Sequence, residues 1–498
     1  MKLKSISCLG LCFLSLLGFT KVNASANPDI VIGQLNMTST EGNRGGTVGA
    51  NTLSSPNSVF SDGSKLIIAD RLNQRVLLFN SIPASNNANA DIVIGKSDMN
   101  GNDSGYNLAK SVGMPTAVCY ANNKLFIADE SDERVLIYNQ LPSSNEPSAD
   151  VVVGQSDFVL LNQYQYNPST PTSKKLKDPQ GVFSDGTKLF IADTGHHRVL
   201  IYNQIPTSNG ATPDIVIGQS DVNSVSENRG GTEATANTLA SPSSVYYDGT
   251  KLIIADTGNH RVLIYNQIPT SNGSNADLVI GQENMSGKSA NQGGVATAKS
   301  LNSPVHVMGN DGKIYITDKS NHRILIFYQI PTSNNQSADF AVGDGGLQSS
   351  SSSRNSNGFF FPSSSHIVGS KFFVTDGLNN RALIFNRIPA KAVSSTETLP
   401  FTSKKVKRKV SFRIENNDQG ISSIKKNWIS LRLNNRKIKV SRVKISPSKS
   451  YFTVWAQVNN KNWTRGDYNL ALSYKYKKNK KKTLYRKALN EPSILSIQ

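Results

Sequence analysis

The chain has 498 residues, enough for two or more domains with sizeable cores. Its net charge of +19 is unevenly spread: residues 401–498 hold 25 Lys and Arg against 4 Asp and Glu, whereas residues 25–400 hold 26 against 31. Of the 3 cysteines, Cys8 and Cys12 fall in an N-terminal leader, which leaves Cys119 alone and excludes an internal disulfide.

The leader reads as a signal peptide over residues 1–24: MKLK, an apolar run over 6–19, then TKVNASA with cleavage after Ala24. Leu11 is too large to precede a lipoprotein cysteine at Cys12. The apolar run is too short for a confident membrane anchor, and no later segment is long and apolar enough to cross a bilayer. The expected location is outside the cytoplasm: periplasmic, cell-surface or extracellular.

Residues 25–390 contain one segment six times, from LIIADRLNQRVLLFNSIP at 66–83 to FFVTDGLNNRALIFNRIP at 372–389. Each copy has an Asp five residues before an Arg: Asp70 and Arg75, Asp129 and Arg134, Asp193 and Arg198, Asp256 and Arg261, Asp318 and Arg323, Asp376 and Arg381. Successive copies are 58–64 residues apart. Around each lie short β-branched runs between Gly, Asp and Asn turns, which are strand signals. Four strands per unit in six units predict an all-β fold, a six-bladed β-propeller. The fourth-strand runs begin with DIVIG at 29–33, ahead of any first strand, and none follows Pro389. The expectation is therefore a ring closed by 29–33 as the outer strand of the sixth blade.

These units resemble NHL repeats, whose signature is close to [VI]-A-D-x-x-N-x-R-[VI]; ADTGNHRV at 255–262 matches it, and ADRLNQRV at 69–76 nearly so. The resemblance covers roughly 27–390 and implies an NHL-type propeller. Blades 2 and 6 depart from it in the turn, with 130–133 reading ESDE and 377–380 reading GLNN. The units are also longer than most NHL repeats, and the excess lies in loops such as NRGGTVGANTLSSP (43–56), NRGGTEATANTLASP (228–242) and NQGGVATAKSLNSP (291–304).

Two copies contain Asp-Thr-Gly, the tripeptide of pepsin-like proteases, at Asp193 and Asp256. A catalytic dyad needs two carboxylates that share a proton. Because the Asp and Arg recur in all six units and Thr-Gly in only two, a structural Asp–Arg joint is the better reading. The residue before the repeat Arg varies. His197, His260 and His322 occupy it in three consecutive units and are candidate ligand-binding residues on the loop face. His306 and His366, in the first strands of units 5 and 6, face the channel; an ungapped alignment sets them two positions apart, which a shorter turn would remove. They are the metal candidates of an alternative reading, a metal-dependent lyase or hydrolase of the six-bladed propeller class with a site at the central channel. The likeness to the peptidylglycine amidating lyase stops at the propeller and these histidines.

A linker is read at 391–409, followed by a basic domain at 410–498 with six strand-like runs and all 3 tryptophans. Residues 466–470, GDYNL, look like the tyrosine corner of immunoglobulin-type sandwiches, and an Ig-like β-sandwich fits the length. The tripeptide Arg465-Gly466-Asp467 is then incidental to that corner. The run KYKKNKKK at 475–482 is expected at a hairpin tip, as a solvated cluster or a polyanion contact.

These features point to an exported, non-enzymatic recognition scaffold. The propeller would bind a protein, peptide or glycan, and residues 404–487 would attach to an anionic surface or polymer. No cofactor is expected outside the alternative, which takes a divalent metal. The net −5 of the propeller argues against nucleic acid as a partner.

Overall fold

The computed structural model describes residues 27–102, 108–158, 174–344, 346–348, 350–356 and 358–386, together with the strand backbone between 392 and 497. The leader 1–24 and most of the span 391–409 lie outside the described residues. The described chain is all-β, with single turns of 3-10 helix and no α-helix.

Six antiparallel four-stranded sheets form the blades. Blade 4 shows the pattern: Pro242–Tyr247, Leu252–Asp256, Arg261–Tyr265 and Leu278–Ile280, hydrogen-bonded in that order. In blade 6 the order is Pro362–Val368, Lys371–Asp376, Arg381–Phe385 and then Ile30–Ile32. This last strand runs antiparallel to the third, with Ile30 opposite Ile384 and Ile32 opposite Ala382.

The near-continuous apolar runs follow from burial on both faces. Side chains alternate across a strand, so Ile67, Ala69, Val76 and Leu78 pack towards blade 2. Leu66, Ile68, Leu77 and Phe79 pack the other way, against Ile30, Ile32, Phe373 and Ile384 of blade 6. The core is thus six slabs, one between each pair of neighbouring blades, and the slab between blades 6 and 1 is as apolar as the rest.

The outer strands are also tied across the seams. The backbone N–H of Val93, Val152, Val216 and Val279 donates to Asn145, Asn209, Asn272 and Asn334 in the following blade, at 2.9–3.0 Å. Val31 donates to Asn86 of blade 1 in the same way, at 2.9 Å.

The C-terminal segment forms one eight-stranded antiparallel sheet. It begins with Ala392–Ser394, inside the span read as linker, and Lys407–Glu415, which starts within that span and runs beyond it. Strand Arg436–Ile445 belongs to both halves of the sheet. Its first residues pair with Ile429–Leu433, and from Lys439 onward it pairs with Tyr451–Asn459 across a register shift. Strand Gly466–Lys478 pairs with Tyr485–Ile497, Tyr476 opposite Tyr485; residues 475–478 of the lysine run belong to the first of these strands and the rest of the run lies outside the described residues.

Candidate functional site

Each blade begins its first strand with a Pro opposite the repeat Asp, as Pro304 faces Asp318 and Pro362 faces Asp376. One end of the ring therefore carries the turns between second and third strands together with the long loops entering each blade. This loop face is built around the Asp–Arg pairs. All six are present, with Arg Nε to Asp Oδ2 distances of 2.7–3.0 Å and both side chains almost fully buried.

The guanidinium does more than neutralise the carboxylate. Arg261 donates its remaining N–H groups to the carbonyls of Met285, Thr235 and Thr238, which lie in the loops on either side of it. Arg323 does the same to Leu347, Thr297 and Ser300. The second carboxylate oxygen accepts a backbone N–H from the entering loop, as Asp256 does from Ala240 at 2.7 Å. With every polar atom partnered, this buried ion pair is a joint that fixes loop shape. Asp193 and Asp256 each sit on their own Arg, in separate blades, and do not share a proton.

The shared loop pattern has a matching explanation. Asn43, Asn228 and Asn291 exchange paired amide hydrogen bonds with Asn73, Asn259 and Asn321 of the neighbouring turn, at 2.8–3.1 Å. The Leu of each loop plugs onto a glycine at the end of an outer strand. At Gly281, φ is +92° and an added Cβ would lie 2.5 Å from Leu301 Cδ1, so both the backbone angle and the space demand glycine.

His197, His260 and His322 stand at left-handed positions closing the turns, with φ of 51–54°. Each Nδ1 accepts the backbone N–H just before the first-strand Pro of the next blade. Ser241 donates to His197 at 2.9 Å, Ser303 to His260 at 2.9 Å and Phe361 to His322 at 3.1 Å. At the seam of blades 6 and 1, Asn380 Oδ1 accepts from Ser55 at 2.7 Å. The structure brings the three histidines to three different seams and engages each as a latch.

The six first strands surround a central cavity of 240 Å³, layered by distance from the loop face. Immediately after the Pro comes a polar level: Asn57, Thr116, Gln180, Ser243 and Ser363, with Val305 in blade 5. Four of these polar residues donate to a carbonyl of the neighbouring first strand at 2.8 Å. Next is a level of small residues, Ser58, Ala117, Gly181, Ser244 and Ser364, interrupted by His306. Farthest from the loop face are Phe60, Cys119, Phe183, Tyr246, Met308 and His366.

His306 and His366 therefore both line the channel but at successive levels. His306 pairs in register with Thr317 and His366 with Phe373, so Ser364 is the blade 6 counterpart of His306. A shorter turn does not superpose them. His366 donates from Nε2 to the Ser61 carbonyl at 2.8 Å and lies against Phe60, with ring centroids 4.4 Å apart. His306 Nδ1 is buried with no partner among the described residues. Burial pushes His306 down to about 3, with His366 adding to the effect, and pushes His366 down to about 4, so both rings are neutral. Among the described residues no group of three or more His, Cys, Asp or Glu comes together in a metal-binding arrangement.

The mouth of the channel holds a residue to which the sequence drew no attention. Lys319, directly after Asp318, lines the cavity. The equivalent residues of blades 1 and 2, Arg71 and Glu130, form an ion pair of 2.6 Å. Its only sequence signal is that blade 5 alone has Lys between the repeat Asp and the turn.

Neither family profiles nor curated proteins match the sequence. Among solved structures the chain is similar to BamB from Moraxella catarrhalis, at 11% identity and a TM-score of 0.35 over 73% of this chain and 98% of that one. It is similar to the calcium-binding protein regucalcin from Agrobacterium tumefaciens, at 10% identity and a TM-score of 0.34 over 68% and 92%. A PQQ-bound aldose sugar dehydrogenase from Streptomyces coelicolor has 11% identity and a TM-score of 0.34 over 68% and 96%.

Proposed function

We propose that this is an exported NHL-type recognition propeller whose loop face docks a protein or peptide, carried with a basic Ig-like domain that attaches to an anionic surface. The observation that carries the reading is the distribution of exposed apolar side chains. Leu35, Leu72, Leu378 and Val295 are the large hydrophobic residues exposed among the described ones, from 48% to 78%. All four belong to turns or entering loops of the loop face. Leu72 and Leu378 occupy the same turn position in the adjacent blades 1 and 6, and Leu35 starts the loop between them. Apolar side chains gathered on loops held by buried joints suit a preorganised docking surface.

Export rests on the leader composition, and the NHL assignment on the ADTGNHRV signature. The Ig-like assignment rests on residues 466–470 and on the strand shared by both halves of the C-terminal sheet, a device by which sandwiches turn a corner. The alternative, a metal-dependent lyase or hydrolase, is separated by metal analysis: stoichiometric zinc or calcium lost on changing His306 and His366 to Ala would replace the scaffold reading.

The test is a triple substitution, Leu35→Glu, Leu72→Glu and Leu378→Glu, in the full-length mature protein. Binding to the surface of the producing cell should fall while the thermal midpoint stays unchanged, and Asp185→Lys on the opposite face should leave binding intact. Equal loss from both variants would remove the loop face from the proposal. For the basic domain, replacing the lysines of 475–482 with Gln should lower the salt needed to elute the protein from heparin.

A further inference from the structure

The six-fold repeat makes departures from symmetry informative, and along the channel they concentrate in blade 5. Where other blades place a polar side chain, which in four of them ties the next strand, blade 5 has Val305. Where they place Ser, Ala or Gly, it has His306. All three serines accept the N–H of the following blade, Ser58 from Val118, Ser244 from Val307 and Ser364 from Val59, at 3.1–3.3 Å. His306 makes no such bond, and its Nδ1 has no partner among the described residues. On the same side, Lys319 contacts the cavity without a salt bridge among the described residues, because the nearby Glu130 is held by Arg71 through both Nε and Nη2, at 2.9 and 2.6 Å.

Strand register sets the spacing of these groups. His306 is level with Thr317, two residues before Lys319, so their backbones are about 7 Å apart along the strand. The cavity holds 240 Å³, room for a ligand of about ten heavy atoms, which a short hydroxycarboxylate does not exceed. Of the charged side chains here Lys319 lines the cavity, and Arg71 and Glu130, paired with each other, lie close enough to act on its charge. Burial disfavours the charged form of Lys319 and the nearby Arg71 adds to this, while Glu130 offsets part of it; an anion in the cavity would relieve what is left. Buried polar groups without partners are costly, which makes the pair of departures a candidate receptor rather than neutral drift.

The geometry points to a small-molecule site in the channel for a short hydroxycarboxylate. The carboxylate pairs with Lys319 at the mouth, and a hydroxyl lies against the neutral His306 ring and the surrounding serines. The site lies inside the channel, with its mouth on the loop face, and does not depend on the docking proposed above.

Glycerate, with glycerol as its uncharged counterpart, is the probe. Saturation transfer from the full-length mature protein is expected to reach glycerate and not glycerol. Lys319→Gln should weaken glycerate binding by about tenfold or more, as loss of a charge-assisted bond implies. Lys319→Arg should restore most of it, which also shows that the fold tolerates substitution there. His306→Phe, filling the space without ring nitrogens, should weaken binding by about threefold or more. Absence of transfer to glycerate, equal transfer to glycerol, or unchanged binding in Lys319→Gln would each overturn the proposal.

Discussion

Buried ionisable side chains carry different duties in this protein according to their partners. Arg261 is fully buried and bonded to Asp256 and three loop carbonyls, so Arg261→Met would strand a carboxylate and release two loops. The expected loss is about 3–5 kcal/mol, read from urea unfolding. The channel histidines give a pH effect of defined sign. The unfolded chain takes up protons from about pH 6.5 downward, while folded His366 and His306 stay neutral until about 4 and 3. Their contribution to stability is therefore complete above 6.5 and is lost as pH falls through that window, by at most about 1.4 kcal/mol per pH unit for each histidine. The slope from pH 7.5 to 4.5 is this effect less the opposite one of Glu133, which burial pushes up to about 7, and the double variant His306→Gln, His366→Gln should flatten it by the histidine part. An unflattened slope would place the effect in the seam histidines, which burial also pushes down.

At the level of the element, the turn between second and third strands repeats one device with interchangeable parts. Its last residue takes a left-handed backbone, and at four seams it offers an acceptor to the next blade, from His at three and from Asn380 at the fourth. Asn tolerates that backbone better than most residues. His260→Asn should therefore cost less than about 1 kcal/mol, whereas His260→Ala should cost about 1–3 kcal/mol by orphaning the Ser303 N–H. Thermal and urea unfolding of the two variants check this; equal loss from both would mean that the latch contributes nothing. In blade 2 the turn carries Asp132 where other blades have Asn or His, and it pairs directly with Arg134 at 2.9 Å. The turn departs from the repeat signature while the joint is kept.

The propeller is a ring of six equivalent slabs, so its weakest point is the seam where its first and last strands meet. Residues 30–32 bury Ile30, Val31 and Ile32 and cover the third strand of blade 6. Removing residues 27–33 would expose that strand as an unpaired edge and cut the Val31–Asn86 tie. A lower unfolding midpoint and concentration-dependent association are expected, measured by calorimetry and light scattering; unchanged behaviour would show that the remaining seams suffice. The number of blades, the Asp–Arg pairs and the loop motif were legible in the residues alone, because every unit faces the same local demand and answers it with the same spacing. The seam histidines were visible as a pattern but not as latches, since each partner lies 39–44 residues away in the next blade. The two channel histidines likewise read as a pair until strand register set them at different levels. Lys319 and the open Nδ1 of His306 acquire meaning from what does not reach them in space, and a linear chain records neighbours in order, not partners across a ring.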